Sequence, residues 1–223
     1  MEYRRITKIN DPLFKQMHQL MQDIFPPEEV LEFDLWKEPL EDPGIRVFVA
    51  VHEDKVVGAT EYRYYDDFNV AMTDFTIIGQ AGLGIGPYLA QNRLVDLQRL
   101  ATENNKKLSG MFAEIYNPYL VEHHEFGGVK PMNPYVRREV LAHLGYKRLD
   151  FEYIHPSWNN DGEAVTGLDL CFLPMNEEKN ELQSDLIVKF LKRYYTVLSN
   201  KPESWYSMIE KLEEKEKVAL VYF

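Results

Sequence analysis

The chain has 223 residues, a formal net charge of −11 and an apolar share of 45%. This length allows one large domain or one domain with an extension, and the apolar share allows a substantial core. The acidic balance argues against nucleic acid or an anionic membrane surface as a partner, and it is compatible with a cationic substrate such as an amine.

The cysteine content and the N-terminus indicate the compartment. Cys171 is the only cysteine, so no internal disulfide can form, which is typical of the reducing cytoplasm. The polar N-terminus lacks the apolar segment of a signal peptide, and no apolar run reaches the roughly 20 residues needed to span a bilayer. The sequence therefore predicts a cytoplasmic protein with no membrane partner.

The first part of the chain predicts helices followed by antiparallel strands. Asp11 before Pro12 is the signal of an N-cap followed by the first helical residue. In chain order the predicted elements are a strand at 2–9, a helix at 12–25, a second helix from residue 28, and strands at 45–51, 56–65 and 72–78. Short turns join these last three strands, unlike a doubly wound fold, in which a helix would separate each pair.

A glycine-rich turn, residues 80–87, joins the last of these strands to a helix predicted over 87–104. Three glycines in five residues let the backbone approach a ligand, and the first N–H groups of a helix point at an anion. The pattern predicts a phosphate-binding turn. It is not a Walker loop, which needs lysine after its last glycine, nor a dinucleotide fingerprint, which would need glycine where Pro87 stands. A glycine-rich bend without a ligand is the alternative.

The remaining elements alternate between strands and helices. The predicted elements are strands at 108–116, 147–156 and 165–173, a helix that begins at Asn133-Pro134 and ends at Gly145, and an extension over 175–223 with two helices and an apolar terminal strand. Three roles of the extension stay open: it packs on the domain, it forms a homodimer, or it closes an acceptor pocket. Cys171 lies among apolar residues, which predicts a buried thiol rather than a nucleophile.

The predicted loop at 117–132 contains His123, His124 and Glu125. Adjacent residues in a loop rarely converge on one ion, and no further ligand is evident, so we predict no metal site. A loop of this length in a compact domain is usually functional or disordered, and a lid over an acceptor site is one interpretation.

The glycine turn and the strands before it resemble the GNAT N-acetyltransferases. In that family the diphosphate-binding motif is usually Arg/Gln-x-x-Gly-x-Gly/Ala, and Gly84-Ile85-Gly86 matches its second half. The match is incomplete, because Ala81 stands at the Arg/Gln position and Gln80 lies one place early. Gly145-Tyr146 is similar to the Gly-Phe that ends the family's fourth helix.

The resemblance covers roughly residues 1–174, with 175–223 as an extension outside it. It implies an α+β fold with a mixed, mostly antiparallel central sheet, flanking helices, and fourth and fifth strands that splay apart.

The resemblance also implies acetyl-coenzyme A as the cofactor. The diphosphate would contact the glycine turn, and the pantetheine arm would lie between the fourth and fifth strands as an added strand. A backbone N–H near Ile77 or Ile78 would bind the thioester carbonyl oxygen. The predicted cofactor-binding residues are Ile77, Ile78, Gln80, Ala81, Gly82, Leu83, Gly84, Ile85, Gly86, Asn117 and Asn133.

The acceptor implied by the resemblance is a small-molecule amine, bound beside the early helices. The predicted substrate contacts are Phe25, Phe33, Trp36 and Glu61. An amine must be neutral to attack a thioester, so a carboxylate or an ordered water takes its proton. Asp74, Glu61 and Glu114 are strand carboxylates able to do this. If Asp74 and Glu114 face one gap, their repulsion would raise one pKa.

Many family members protonate the leaving thiolate with a tyrosine four residues before the helix-ending glycine. Leu141 occupies that position here, so Tyr116 and Tyr135 are the substitutes. The predicted catalytic residues are Asp74, Glu114, Tyr116 and Tyr135. Two other classes stay open: a GNAT domain that binds a ligand or partner without turnover, which Ala81 and Leu141 favour, and an assembly protein organised by the C-terminal helices.

Overall fold

The computed structural model describes residues 1–25, 30–120 and 134–223. The described chain is a mixed α/β fold with largely antiparallel strands and flanking helices. It divides into two compact units: the first unit is residues 1–111, and the second unit is residues 112–120 with 134–223.

The helices are α1 (Pro12–Ile24), α2 (Lys37–Glu41), α3 (Ile85–Glu103), α4 (Pro134–His143), α5 (Ser184–Tyr194) and α6 (Glu203–Glu213), with 3₁₀ turns at Phe33–Trp36 and Tyr195–Val197. The strands are β1 (Glu2–Ile6), β2 (Ile45–His52), β3 (Lys55–Tyr65), β4 (Val70–Ile78), β5 (Gly110–Tyr116), β6 (Lys147–Leu149), β7 (His155–Pro156), β8 (Ala164–Val165), β9 (Leu168–Pro174), β10 (Glu181–Gln183) and β11 (Lys217–Val221). No helix of the described chain is both long enough and apolar enough to cross a membrane.

The first unit is built on four antiparallel strands in the order β1-β2-β3-β4. The predicted cap of α1 is confirmed, because the Asp11 carboxylate accepts a hydrogen bond of 2.9 Å from the Leu13 N–H, with Pro12 at the first helical position. Buried residues of α1, including Phe14 and Met17, pack against the strands together with Trp36.

A separate, smaller core brings α3 against the sheet of the first unit. Ile85 and Leu89, on its first turns, are buried with Ala50 and Val57 of β2 and β3. The strands of the first unit therefore carry helices on both sides, and the predicted run of three antiparallel strands before the glycine turn is confirmed.

The second unit places its strands in the order β5-β9-β6-β11-β10. Strands β10 and β11 come from residues 175–223, and so do α5 and α6, which pack on each other. The predicted division after residue 174 therefore falls inside this unit. Cys171, on β9, is fully buried as predicted.

Two predicted elements of the second unit are wrong in part. The strand predicted over 147–156 is interrupted, because β6 ends at Leu149 and the chain bends before β7, with the Phe151 N–H bonded to the Leu149 carbonyl. The first residues of the helix predicted over 181–198 form a strand instead, because Glu181–Gln183 is β10 and pairs with β11.

Candidate active site

The turn between β4 and α3 requires glycine at two positions. Gly82 and Gly84 have φ angles of +83° and +65°, in the left-handed region that glycine adopts without strain. A Cβ atom added at either position would have no atom within 4 Å. The glycines therefore shape the turn and keep the space above it clear.

The backbone of this turn presents N–H groups to an incoming ligand. Gly84 is the capping residue of α3, and no side chain caps the helix. By ordinary hydrogen-bond geometry, no backbone N–H group of residues 81–86 donates to any of the described residues, although Ala81 and Gly82 form a turn. N–H groups at the start of a helix, here one of 19 residues, are suited to binding an anion such as a diphosphate.

The start of α3 is held close to β3 by a third glycine, which the sequence interpretation missed. A Cβ atom at Gly58 would collide with the Ile85 side chain and lie 2.8 Å from the Ile77 carbonyl oxygen. Glycine inside a strand commonly marks such a close approach, and that signal was present in the sequence. Gly58 thus fixes the distance between the first turn of α3 and the sheet.

The two candidate donors on β4 point in opposite directions. The Gly79 N–H donates to the Val57 carbonyl at 2.9 Å, and in an antiparallel ladder the donors of one strand alternate in direction. The Ile77 N–H therefore points toward β3, and the Ile78 N–H points away from it. Of the two, Ile78 is the one that does not face β3.

Strand β4 contains a β-bulge at Asp74, one of the three carboxylates predicted as candidates for the general base. Glu61 pairs with Phe75 and Tyr62 with Thr73, so Asp74 is the extra residue that the bulge inserts into β4. A bulge changes the direction of the strand and of the side chains on it. Asp74 is exposed at this point.

Asp74 acts electrostatically on Glu61. Burial raises the pKa of the Glu61 carboxyl well above its usual range, and the negative charge of Asp74 raises it further, against a smaller lowering by Arg63. Arg63 in turn forms an ion pair of 2.6 Å with Asp42. Two of the predicted site carboxylates thus influence each other, although the sequence interpretation placed the repulsion between Asp74 and Glu114.

Aromatic side chains lie beside Phe75, which is next to Asp74 in sequence and opposite Glu61 on β3. The rings of Phe25 and Trp36 lie 6.5 and 6.4 Å from the ring of Phe75, which is the register partner of Glu61. The structure therefore brings together three of the four predicted substrate contacts, with Phe75 as an additional residue. The signal for Phe75 in the sequence was its position next to Asp74.

The fourth predicted contact, Phe33, has different neighbours. Its ring lies 4.9 Å from that of Phe14 and 5.3 Å from that of His18, both of which are buried on α1. The His18 imidazole and the Trp36 indole both bond to the Leu31 carbonyl, at 2.9 and 3.2 Å. These contacts attach the segment that carries Phe33 and Trp36 to α1.

In the second unit Glu114 is held by buried polar side chains. One of its carboxylate oxygens accepts hydrogen bonds from the Tyr153 and Tyr195 hydroxyls, the latter at 2.8 Å, and the other lies 3.5 Å from His155 Nε2. We call Glu114, Tyr153, His155 and Tyr195 the Glu114 cluster. Burial raises the pKa of Tyr195 well above its usual value, and the Glu114 charge adds to this, so the phenol remains a donor.

The sequence interpretation missed this arrangement, since the members of the Glu114 cluster other than Glu114 were not predicted to be together. His155 is buried. The repulsion predicted between Asp74 and Glu114 stays a prediction, because the two residues belong to different units.

The other predicted cofactor contacts lie in the second unit or outside the described residues. The Asn117 amide donates to Asp169 at 3.1 Å and accepts from the Tyr119 N–H at 3.0 Å. Arg138 also pairs with Asp169, at 2.9 Å. Both polar ends of Asn117 are therefore used within the unit. Asn133 lies outside the described residues.

The two predicted catalytic tyrosines are also in the second unit. Tyr116 is the last residue of β5, and the ring of Tyr135, on α4, lies 5.5 Å from that of Tyr119. His123, His124 and Glu125 fall outside the described residues. Among the residues that are described, no group of three metal-ligating side chains could hold an ion.

Solved structures provide the comparison with known proteins, since no family model and no curated protein matches the chain. A protein from Bacteroides thetaiotaomicron described as an acetyltransferase of the GNAT family is 18% identical, with a TM-score of 0.60 over 90% of this chain and 100% of that one. The ribosomal-protein-S18-alanine N-acetyltransferase of Escherichia coli is 8% identical, with a TM-score of 0.51 over 78% and 95%.

A third similar structure, from Staphylococcus epidermidis and described as an acetyltransferase, is 11% identical, with a TM-score of 0.52 over 78% and 99%. The chain therefore has the fold of the GNAT acetyltransferases. The Bacteroides match covers 90% of the chain, so it reaches into the residues after 174.

Proposed function

We propose that the protein is a GNAT-type N-acetyltransferase that moves an acetyl group from acetyl-coenzyme A to a small amine. The observation that carries the proposal is the open glycine turn at the start of α3. Its backbone N–H groups at residues 81–86 make no hydrogen bond of ordinary geometry to the described residues, and no atom lies within 4 Å of a Cβ placed at Gly82 or Gly84. The GNAT fold supports the same conclusion.

The turn would hold the diphosphate through its backbone. Ala81 stands where the family usually has arginine or glutamine, and its methyl group cannot donate a hydrogen bond. The peptide N–H groups and the helix dipole therefore supply the binding, and Gly58 keeps them in place against β3. We therefore expect this turn to bind acetyl-coenzyme A more weakly than a turn with a side-chain donor at position 81 would.

Acetyl-coenzyme A, when bound, supplies an acetyl group activated as a thioester. The Ile78 N–H is the β4 donor directed away from β3, and it is suited to hold the carbonyl oxygen. Asp74, exposed on the bulge, takes the proton that the attacking amine loses. Glu61 lies beside it, and burial together with the Asp74 charge raises the pKa of Glu61.

The amine would bind against the aromatic side chains around Phe75. An amine that still carries its proton is attracted both to the carboxylates and to the faces of aromatic rings. Phe25 and Trp36 lie beside Phe75, and Asp74 and Glu61 lie on the neighbouring strand positions. This combination supports a small cationic acceptor.

The decisive experiment measures acetyl-coenzyme A binding by thermal shift and calorimetry, followed by thiol release over a panel of amines. Binding should stabilise the protein by about 2.7 kcal/mol at a hundredfold excess over Kd. The variant Gly82→Asp should weaken binding about tenfold or more, because it adds a negative charge beside the diphosphate.

Gly162→Asp is the matched control. Gly162 has φ +82° against +83° for Gly82, so the same backbone strain and the same charge are introduced in the second unit. Equal binding by both variants, or no binding by the wild-type protein, would contradict the proposal.

A domain that binds without turnover is the second candidate. It is favoured by Ala81 and by Leu141, which stands where many family members have the catalytic tyrosine. The same experiment separates the two, because this candidate gives neither a thermal shift with acetyl-coenzyme A nor thiol release with any amine.

A further inference from the structure

Arg93 is a buried cation that has no counter-ion among the described residues. It lies on α3 with 3% of its surface exposed, and no carboxylate of the described chain forms an ion pair with it. Arg46, buried to a similar degree, pairs with Asp96. Because a buried charge is unfavourable unless it is paired or hydrogen-bonded, the contacts of Arg93 require an explanation.

The contacts of Arg93 are three threonine hydroxyls on β3 and β4. Its Nη1 lies 2.9 Å from the Thr60 oxygen, 3.0 Å from that of Thr73 and 2.8 Å from that of Thr76. Its Nε has no partner among the described atoms. One end of the guanidinium is thus directed at one small region of the sheet.

That region is the β-bulge at Asp74. In a regular strand, residues three positions apart point to opposite faces. Thr73 and Thr76 contact the same nitrogen atom because Asp74 is inserted between them as the extra residue. The contacts of Arg93 therefore exist only while the bulge is in place.

Two of these threonines also donate hydrogen bonds to backbone carbonyls, and so they link Arg93 to the backbone of β3 and β4. Thr73 donates to the Glu61 carbonyl and Thr60 to the Phe75 carbonyl, each at 3.1 Å. Glu61 and Phe75 are the register partners next to the bulge. Since arginine can only donate, a hydroxyl that accepts from Arg93 must direct its own hydrogen elsewhere, here to a carbonyl oxygen.

We propose that Arg93 is a positioning residue that locks the β4 bulge and so sets the placement of Asp74 relative to Glu61. The role of this geometry in proton transfer rests on the proposed function, whereas the locking of the bulge does not. Arg93 reaches the site through the threonines and the backbone, and it does not contact the substrate.

The test compares Arg93→Met with Arg99→Met. Arg99 is on the same helix, is half exposed, and pairs with Asp96 and Glu103 rather than with the bulge. Two measurements need no activity: amide hydrogen exchange of residues 73–77, and the titration of the Glu61 side chain by NMR. Turnover and acetyl-coenzyme A affinity are measured beside them.

We expect Arg93→Met to speed exchange at 73–77 by about tenfold or more, because local opening of the bulge becomes easier. The pKa of Glu61 should fall toward its usual value as Asp74 moves away. The kcat should fall about tenfold or more while the affinity for acetyl-coenzyme A stays within about twofold. Arg99→Met should change none of these. Unchanged exchange and an unchanged Glu61 titration in Arg93→Met would overturn the proposal.

Thr73→Val provides the second variant, in case Arg93→Met does not fold. It keeps the arginine and removes the hydroxyl that links it to the Glu61 carbonyl. The same increase in exchange and shift in Glu61 titration are expected, and their absence would equally overturn the proposal. If the wild-type protein binds no acetyl-coenzyme A, the proposed function fails, and these two measurements still decide the role of Arg93.

Discussion

Two predicted catalytic carboxylates, Asp74 in the first unit and Glu114 in the second, have opposite surroundings. Asp74 is exposed on a bulge, and its charge raises the pKa of another carboxyl, Glu61. Glu114 accepts hydrogen bonds from two buried phenols, Tyr153 and Tyr195. An exposed carboxylate such as Asp74 can take a proton from a substrate. A carboxylate bound by buried donors, as Glu114 is, instead holds those donors in place. The comparison predicts that changes at Asp74 alter turnover and that changes at Glu114 alter stability.

The largest expected effect is on turnover in Asp74→Asn. Loss of the base should lower kcat/KM for thiol release by about 10²–10⁴-fold, the usual contribution of a general base. The unfolding midpoint should change little, since the side chain is exposed. Asp67→Asn, an exposed residue on the turn before β4, is the control for lost charge. A rate for Asp74→Asn equal to that of the control would remove Asp74 from the mechanism.

The next effect is on stability in Glu114→Leu. Removing the carboxylate takes away the acceptor that the buried Tyr153 and Tyr195 hydroxyls share and leaves them in contact with each other, so the free energy of unfolding in urea should fall by roughly 2–5 kcal/mol. Glu114→Gln keeps an acceptor oxygen and should lose about 1 kcal/mol. If folded Glu114→Gln has lost its thiol release while Asp74→Asn has not, the roles of the two carboxylates are reversed.

The smallest effect is the pH dependence of stability in Glu61→Gln. Because the pKa of Glu61 is raised in the folded state, the folded protein binds this proton more tightly than the unfolded chain. The stability due to Glu61 is complete below its usual pKa of about 4.3 and is lost as pH rises through the folded pKa.

The free energy of unfolding of Glu61→Gln, measured relative to that of the wild-type protein, should therefore increase as pH rises from about 4 to 8. Urea titrations at several pH values measure this, with the exposed Glu152→Gln as control. A gain that instead grows toward acidic pH would show that the folded state depresses this pKa.

Local signals allowed much of the first unit to be predicted. The Asp11 cap, the order of β2, β3 and β4, and the glycine turn all depend on residues close in sequence. The bulge at Asp74 was not predicted, because one inserted residue disturbs the alternation only locally, and several registers fit the same pattern.

The Glu114 cluster could not be predicted from such local signals. Tyr153 and Tyr195 are 39 and 81 residues from Glu114, and only the strand order of the second unit brings them together. The same holds for Arg93, which lies 33 residues from Thr60 and occupies an ordinary helical position. Side chains paired across such distances leave no periodicity in one sequence.

The close contact between Gly58 and the first turn of α3 has a consequence for ligand affinity. A single methyl group at this position would meet Ile85 and the Ile77 carbonyl, and α3 would have to shift outward to accommodate it. The positive end of the helix would move with it, away from the strand that presents Ile78. Gly58, a buried residue that would not contact the ligand, thereby sets the distance between the glycine turn and Ile78, the two places where the proposed cofactor would be bound.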